Sequence, residues 1–141
     1  MSAFTLHPQL ERDTVPVGDL ALLRVLLMND ANYPWLILVP RRPALIELID
    51  LEENEQVQLV GEVTTAARAL KDITACDKLN VAALGNQVSQ LHVHVIGRRH
   101  SDAAWPQPVW GVVPATAYDP AARERLLGAL RRGLQVEPVS G

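Results

Sequence analysis

Short apolar runs dominate the first forty residues, and each is closed by turn-forming residues. Thr14–Val17, Leu20–Met28 and Trp35–Val39 read as strands, separated by Pro16-Val17-Gly18-Asp19 and Asn29-Asp30-Ala31-Asn32. Connections this short favour antiparallel hairpins. Pro40 and Pro43 bracket Arg41 and Arg42 and end the third strand, because proline cannot donate to a sheet ladder. The period then lengthens. Asp50 with Glu53 three positions on has capping-box spacing, so a long helix should start near Leu51. Val57, Val60, Val63, Ala67, Leu70 and Ile73 recur at three- and four-residue intervals, which predicts a core-facing stripe with Glu62, Thr65, Arg68 and Asp72 turned outward. Strand patterning returns at Leu79–Ala83, breaks at Leu84-Gly85-Asn86, and resumes from Gln90 to Ile96, closed by Gly97. A last helix is expected from Pro120, after the capping residue Asp119, to about Arg132. The loop Ser101–Tyr118 precedes it, and the tail after Gln135 reads as frayed.

At 141 residues the chain fits one domain, residues 1–141, large enough to bury a core without disulfides or a structural metal. Hydrophobic residues make up 48% against 21% charged, which argues against a disordered chain. Cys76 is the only cysteine, so no intrachain disulfide can form and a reducing compartment suits it. Met1–Asp13 shows no positive segment leading an apolar core, and Leu20–Met28 is interrupted by Arg24 and too short to span a bilayer. A cytoplasmic protein with no membrane partner is therefore expected. A net charge of -3 with scattered basic residues gives no footprint for DNA or RNA. Any phosphate must be gripped locally, and Arg41-Arg42 or Arg98-Arg99-His100 are the clusters available, unless they are merely solvated strand ends.

Chemistry concentrates in the strand Gln90–Ile96. Alternation sends Gln90, His92, His94 and Ile96 to one face and Leu91, Val93 and Val95 to the other. The apolar set fixes the strand to the core, which leaves two imidazoles and a carboxamide together. Such a pair is compatible with packed structural histidines, acid–base work, nucleophilic catalysis or metal ligation. A metal would need a third ligand, and His7, His100, Cys76 and the carboxylates fall in no recognisable ligand spacing. No metal and no cofactor is expected.

The segment Gly85-Asn86-Gln87-Val88-Ser89-Gln90-Leu91-His92-Val93-His94-Val95-Ile96-Gly97 resembles the histidine triad (HIT) signature, three histidines alternating with apolar residues after a glycine-glutamine turn. The likeness extends to Leu36-Ile37-Leu38-Val39-Pro40, the basic pair and the long helix. Trp105-Pro106-Gln107-Pro108-Val109-Trp110 is similar to the tail of a bacterial subgroup of that family. The resemblance implies an α+β fold with a mainly antiparallel sheet, one long central helix and a C-terminal helix. It implies a nucleotide hydrolase or nucleotidyl transferase acting at an α-phosphate, of the nucleoside phosphoramidase or dinucleoside polyphosphate hydrolase kind. His92 would be the nucleophile, passing through a nucleotidyl-histidine, and His94 would hold phosphate oxygens. Asn29 and Asn86 match nucleotide- and phosphate-contacting positions, Gln87 lies where some members carry a serine that helps the leaving group, and Val88 matches a small apolar position. Arg98 is a further candidate for phosphate capture, and a homodimer is expected because family members commonly pair.

Two departures remove titratable groups. Gln90 stands at the first triad position and Trp35 where many members have another histidine. A glutamine amide can donate or accept a hydrogen bond but cannot become cationic, so proton traffic should be weaker. That keeps open a binding or sensing protein that has lost turnover. Plainer readings also stand beside the others: Asn29 and Asn86 as turn formers, His7 and His100 as surface histidines, Trp105 and Trp110 as cover for the core or a partner.

Overall fold

The computed structural model describes residues 3–139. Its elements are α1 (Pro8–Asp13), β1 (Thr14–Asp19), β2 (Leu23–Met28), β3 (Trp35–Pro40), a 3₁₀ turn (Leu48–Asp50), α2 (Glu53–Thr74), β4 (Lys78–Ala82), β5 (Val93–Arg98) and α3 (Pro120–Leu134). The strands form one five-stranded sheet in the order β1-β2-β3-β5-β4, with every neighbouring pair antiparallel. The α+β class holds, and the five expected strands and two expected helices occur in the expected order, with α1 and the 3₁₀ turn added.

Both faces of the central strands are covered, which is why β2 and β3 read as nearly continuous apolar runs rather than alternating ones. On one face Val25, Leu27, Leu36, Leu38, Val93 and Val95 pack against Leu59, Ala66 and Leu70 of α2 and Leu127 and Leu130 of α3. On the other, Leu26, Ile37, Val39 and Ile96 meet Leu10 of α1 with Tyr33, Trp35, Val88 and Val109. Each large aliphatic side chain buried this way is worth about 1.5–3 kcal/mol.

Several boundaries differ from expectation. β2 starts at Leu23, because the Leu20 N–H donates to the Leu23 carbonyl (2.8 Å) in a turn. Asp50 does not cap α2: its carboxylate accepts from the N–H groups of Ile46 and Glu47 and closes the 3₁₀ turn, while Glu52 precedes the helix without a side-chain cap. The α2 stripe is rotated. Leu59, Val63, Ala66 and Leu70 face the sheet, whereas Val57 (72% exposed) and Val60 (63%) face solvent. Two apolar series share this helix, and periodicity alone does not say which one meets the sheet. Glu62, expected outward, reaches the N–H groups of Leu22 and Leu23 (2.9–3.1 Å) and ties α2 to the start of β2.

β5 begins at Val93 rather than Gln90, so His92 sits in irregular backbone just before the strand. α3 follows expectation, with the Asp119 carboxylate accepting from the Ala122 N–H (3.0 Å) and Pro120 in the first turn. The tail is not frayed where it is described. The Val136 N–H donates to the Arg131 carbonyl (3.0 Å), and the chain lies so close over Gly18 that a Cβ there would come within 2.5 Å of Val136 Cγ2. Ser140 and Gly141 lie outside the described residues. None of the described helices is long and apolar enough to cross a membrane.

Candidate active site

The alternation expected of this segment holds through its two histidines, His94 on β5 and His92 in the chain just before it. Leu91, Val93 and Val95 enter the helix-covered core. His92 and His94 lie on the opposite face, both buried, with ring centroids 4.8 Å apart. They line a cavity of about 460 Å³.

His92 Nδ1 lies 2.6 Å from the main-chain carbonyl oxygen of Gln90. A carbonyl can only accept, so the proton is on Nδ1 and the lone pair on Nε2. Burial holds the His92 pKa below the usual histidine range; the Gln90 hydrogen bond opposes this, and the charge of His7 adds to it. The ring is therefore neutral near pH 7. The turn before it demands a glycine: a Cβ on Gly85 would lie 2.7 Å from the Val88 carbonyl oxygen and 3.3 Å from His92 Cε1. The imidazole rests where a side chain would otherwise be.

His94 is held differently. The indole Nε1–H of Trp35 donates to His94 Nδ1 (3.0 Å), and His94 Nε2 lies 3.0 Å from the Leu84 carbonyl oxygen. Since the indole can only donate, Nδ1 accepts and Nε2–H is the donor. Burial lowers the pKa of His94 to about 4, against the Leu84 hydrogen bond and with the help of His92. Trp110 stacks edge-on against both, 5.1 Å from His94 and 5.8 Å from Trp35. In this arrangement both nitrogens of His94 are engaged, so the expected phosphate contact would require one of these bonds to open.

The remaining predicted residues divide. Asn86, Gln87 and Val88 line the cavity along the turn from Gly85. Asn29 follows Met28, a lining residue; its N–H donates to the Asp13 carbonyl (2.9 Å), and its Oδ1 is buried without a partner among the described residues. Gln90 keeps its main-chain carbonyl at the site but turns its side chain away, to Thr5 and His7. That departs from a catalytic role for the Gln90 amide, because both of its polar atoms are already bonded.

Arg98 is a correction. It is 1% exposed, its guanidinium donating to both carboxylate oxygens of Asp102 (2.8 and 3.0 Å) and to Asn80 Oδ1 (2.8 Å), with the rings of Tyr33 and Trp105 alongside. It holds the loop after β5 and does not line the cavity. Neighbouring Arg99 donates to the carbonyls of Thr74 and Ala75 at the C-terminus of α2. Arg41 binds the carbonyls of Leu20 and Ala21, and Arg42 pairs with Glu55. Neither basic cluster supplies the cavity. Among the described residues its lining carries no lysine or arginine, and Asp13 is its one carboxylate.

Sequence reasoning missed the wall formed by Gln9, Leu10 and Asp13 of α1. A signal existed in His7-Pro8: the His7 Nδ1 accepts from the Gln9 N–H (3.0 Å) and Pro8 opens the helix. Six residues are too few for a periodic pattern. Trp35 was readable only as a lost histidine, whereas its indole fixes the state of His94.

The HIT domain family model matches residues 9–101. The fold is similar to that of a histidine triad protein from Bradyrhizobium japonicum, with TM-score 0.93 and 56% identity, covering 94% of this chain and 99% of the other. A histidine triad protein from Sinorhizobium meliloti 1021 gives 0.90 and 43% (92% and 96% covered), and one from Marinobacter aquaeolei VT8 gives 0.91 and 40% (95% and 98%). No curated protein matches the chain. The alternating histidine pair at the start of β5 and the antiparallel sheet are thus those of a histidine triad fold, and the chain belongs to the HIT domain family.

Proposed function

We propose that the protein is a nucleotide hydrolase or nucleotidyl transferase that works through a nucleotidyl-histidine on His92. The observation that carries this reading is a buried neutral imidazole at a cavity wall, with Nδ1–H held by the Gln90 carbonyl and the Nε2 lone pair left for attack. HIT proteins are generally nucleotide hydrolases or transferases, and membership of that family supports a reaction at an α-phosphorus. Nε2 forms a bond to that phosphorus as the bond to the leaving group breaks. Water or another acceptor then displaces the histidine, which recovers its lone pair. Two easier displacements replace one difficult one.

With no cationic side chain in the lining, phosphate oxygens would be met by the N–H and amide groups of the Gly85–Val88 turn. The apolar wall of Leu10, Met28, Ile37 and Trp110 suits a nucleobase, and Asn29, the residue after Met28, has an Oδ1 unpartnered among the described residues that suits the sugar. Nucleoside phosphoramidates and dinucleoside polyphosphates are the substrate classes. We place no nucleic acid among the partners, and read the protein as a homodimer on the strength of the exposed Ile49, Val57 and Val60 near α2 and Val81 on edge strand β4.

A binding or sensing protein is the second reading, favoured by the engagement of both His94 nitrogens and of the Gln90 amide. Brief incubation with adenosine 5′-phosphoramidate, acid quench and intact-protein mass spectrometry separate the two. An adenylyl adduct mapped to His92 is the expected result. Binding of the compound with neither adduct nor turnover would replace the enzyme reading with the sensor.

A further inference from the structure

We infer that Gln90, at the first triad position, is a positioning residue that fastens the N-terminal segment to the strand of the nucleophile and so builds one wall of the cavity. Its amide oxygen accepts from the His7 N–H (2.8 Å) and its amide nitrogen donates to the Thr5 carbonyl (2.9 Å). Its own carbonyl accepts from His92 Nδ1 (2.6 Å). One residue therefore touches the nucleophile through its main chain and a segment more than eighty positions away through its side chain.

The chemistry explains why this residue is an amide. Thr5 C=O and His7 N–H are a carbonyl and an N–H two residues apart, both bonded to one group, which is how an extended segment meets a single residue of a parallel neighbour across a ladder. A primary amide has one N–H on the same side as its carbonyl oxygen, so donor and acceptor point the same way, which a trans peptide group cannot do. An imidazole carries its two nitrogens on diverging directions of a ring and cannot match that pair from one point.

What the clasp holds is α1, which has no stability of its own at six residues. Its N-terminal end is set by His7, which caps it through Nδ1, and its C-terminal end by the Thr14 hydroxyl donating to the Leu10 carbonyl (2.6 Å). Between these points Gln9, Leu10 and Asp13 face the cavity. Gln9 Nε2 donates to Asp13 Oδ2 (2.9 Å), so the wall is itself ordered when α1 is in place. Loss of the clasp should loosen this wall while leaving His92, just before β5, and its Gln90 carbonyl bond untouched. The catalytic part of this inference rests on the nucleotide reading above, and the structural part stands without it.

The test is a graded series, Gln90→Glu, Gln90→Ala and Gln90→His, measured in three ways. Amide hydrogen exchange should accelerate about tenfold or more at His7 and along α1 in Gln90→Ala, and less in Gln90→Glu, which keeps the acceptor but not the donor, with β5 protection unchanged. Calorimetric titration with AMP should show weaker binding in the same order. With adenosine 5′-phosphoramidate, KM should rise more than kcat falls, and Gln90→His should behave like Gln90→Ala. If Gln90→Ala does not fold, Gln90→Glu alone must still show the exchange effect confined to the N-terminal segment. Unchanged protection at His7 and α1 would overturn the inference, as would a Gln90→His protein with raised kcat and an intact N-terminal segment. Absence of turnover in the wild-type protein would count against the nucleotide enzyme but leave the exchange result to decide the clasp.

Discussion

Strand β5 carries buried polar groups at both ends, and the two ends are finished differently. At its C-terminal end the Arg98 guanidinium is matched by Asp102 and Asn80, and Asp102 in turn accepts from the N–H groups of Arg99, Ala104 and Trp105. At its N-terminal end His92 has one nitrogen bonded and the other presented to a cavity. A buried polar group with every valence satisfied holds the chain in place. One left with a lone pair at a cavity wall is available for chemistry. His94, between them, belongs with Arg98 by this measure, although it is two residues from the nucleophile.

The sharpest break of this contrast is His92→Ala. It should lower turnover of adenosine 5′-phosphoramidate by about a thousandfold or more, since the covalent step has no substitute, while the melting temperature changes little. Turnover near the wild-type rate would remove His92 from the chemistry. Arg98→Met should act in the opposite sense, costing about 3 kcal/mol in denaturant unfolding because the Asp102 carboxylate, its side chain 5% exposed, keeps its backbone N–H bonds but loses its counter-charge. AMP affinity at low temperature should be retained, since Arg98 does not line the cavity. A selective loss of affinity without loss of stability would return Arg98 to the binding site.

Acid should separate His94 from the Arg98–Asp102 pair in sequence. His94 has its pKa lowered by burial from 6.5 to about 4, so the unfolded chain binds more protons between those values and stability falls as pH drops through that window. Burial alone would raise the Asp102 pKa, but the Arg98 bond and three backbone N–H bonds outweigh it and bring the pKa from 3.8 to about 2. Its contribution is complete above 3.8 and is lost as pH falls toward about 2. Urea unfolding against pH should show both slopes, and His94→Gln should reduce the upper one to the part that His92 supplies while sparing the lower.

The smallest effect is expected of Trp35→Phe. Without the indole donor, His94 Nδ1 loses the partner that fixes its tautomer, and nitrogen NMR should show the His94 signals move toward a mixture. The Nδ1–H form of His92 should persist, because the Gln90 carbonyl sets it. A shift at both rings would mean that the two histidines are one coupled unit rather than a free nucleophile beside a bound neighbour.

The order of strands and helices was legible because each element carries a local signature: apolar runs for β2 and β3, Asp119-Pro120 for α3, alternation for His92 and His94. What was not legible depended on partners distant in sequence or on elements too short to show a period. Arg98 reads as part of a basic cluster until the fold places Asn80 and Asp102 on it. The α2 stripe could not be chosen between two apolar series without knowing where the sheet lies. Gln90 read as an absent histidine, because the groups its amide bonds belong to an N-terminal stretch with no regular pattern of its own.

The two borders of the sheet are also unequal, and that inequality limits how sheets of this protein can join. Along β1, Pro16 has no N–H to offer, the Pro16 and Val17 carbonyls are taken by Arg131 (2.9–3.0 Å), the register slips between Pro16 and Gly18, and the C-terminal tail lies across Gly18. β4 has β5 on one side only and exposes Val81. A sheet with one closed border and one open border can accept a single neighbour by strand pairing. Once two such borders meet, each molecule has only its closed side left, so growth by this route stops at a pair and cannot propagate into a ribbon.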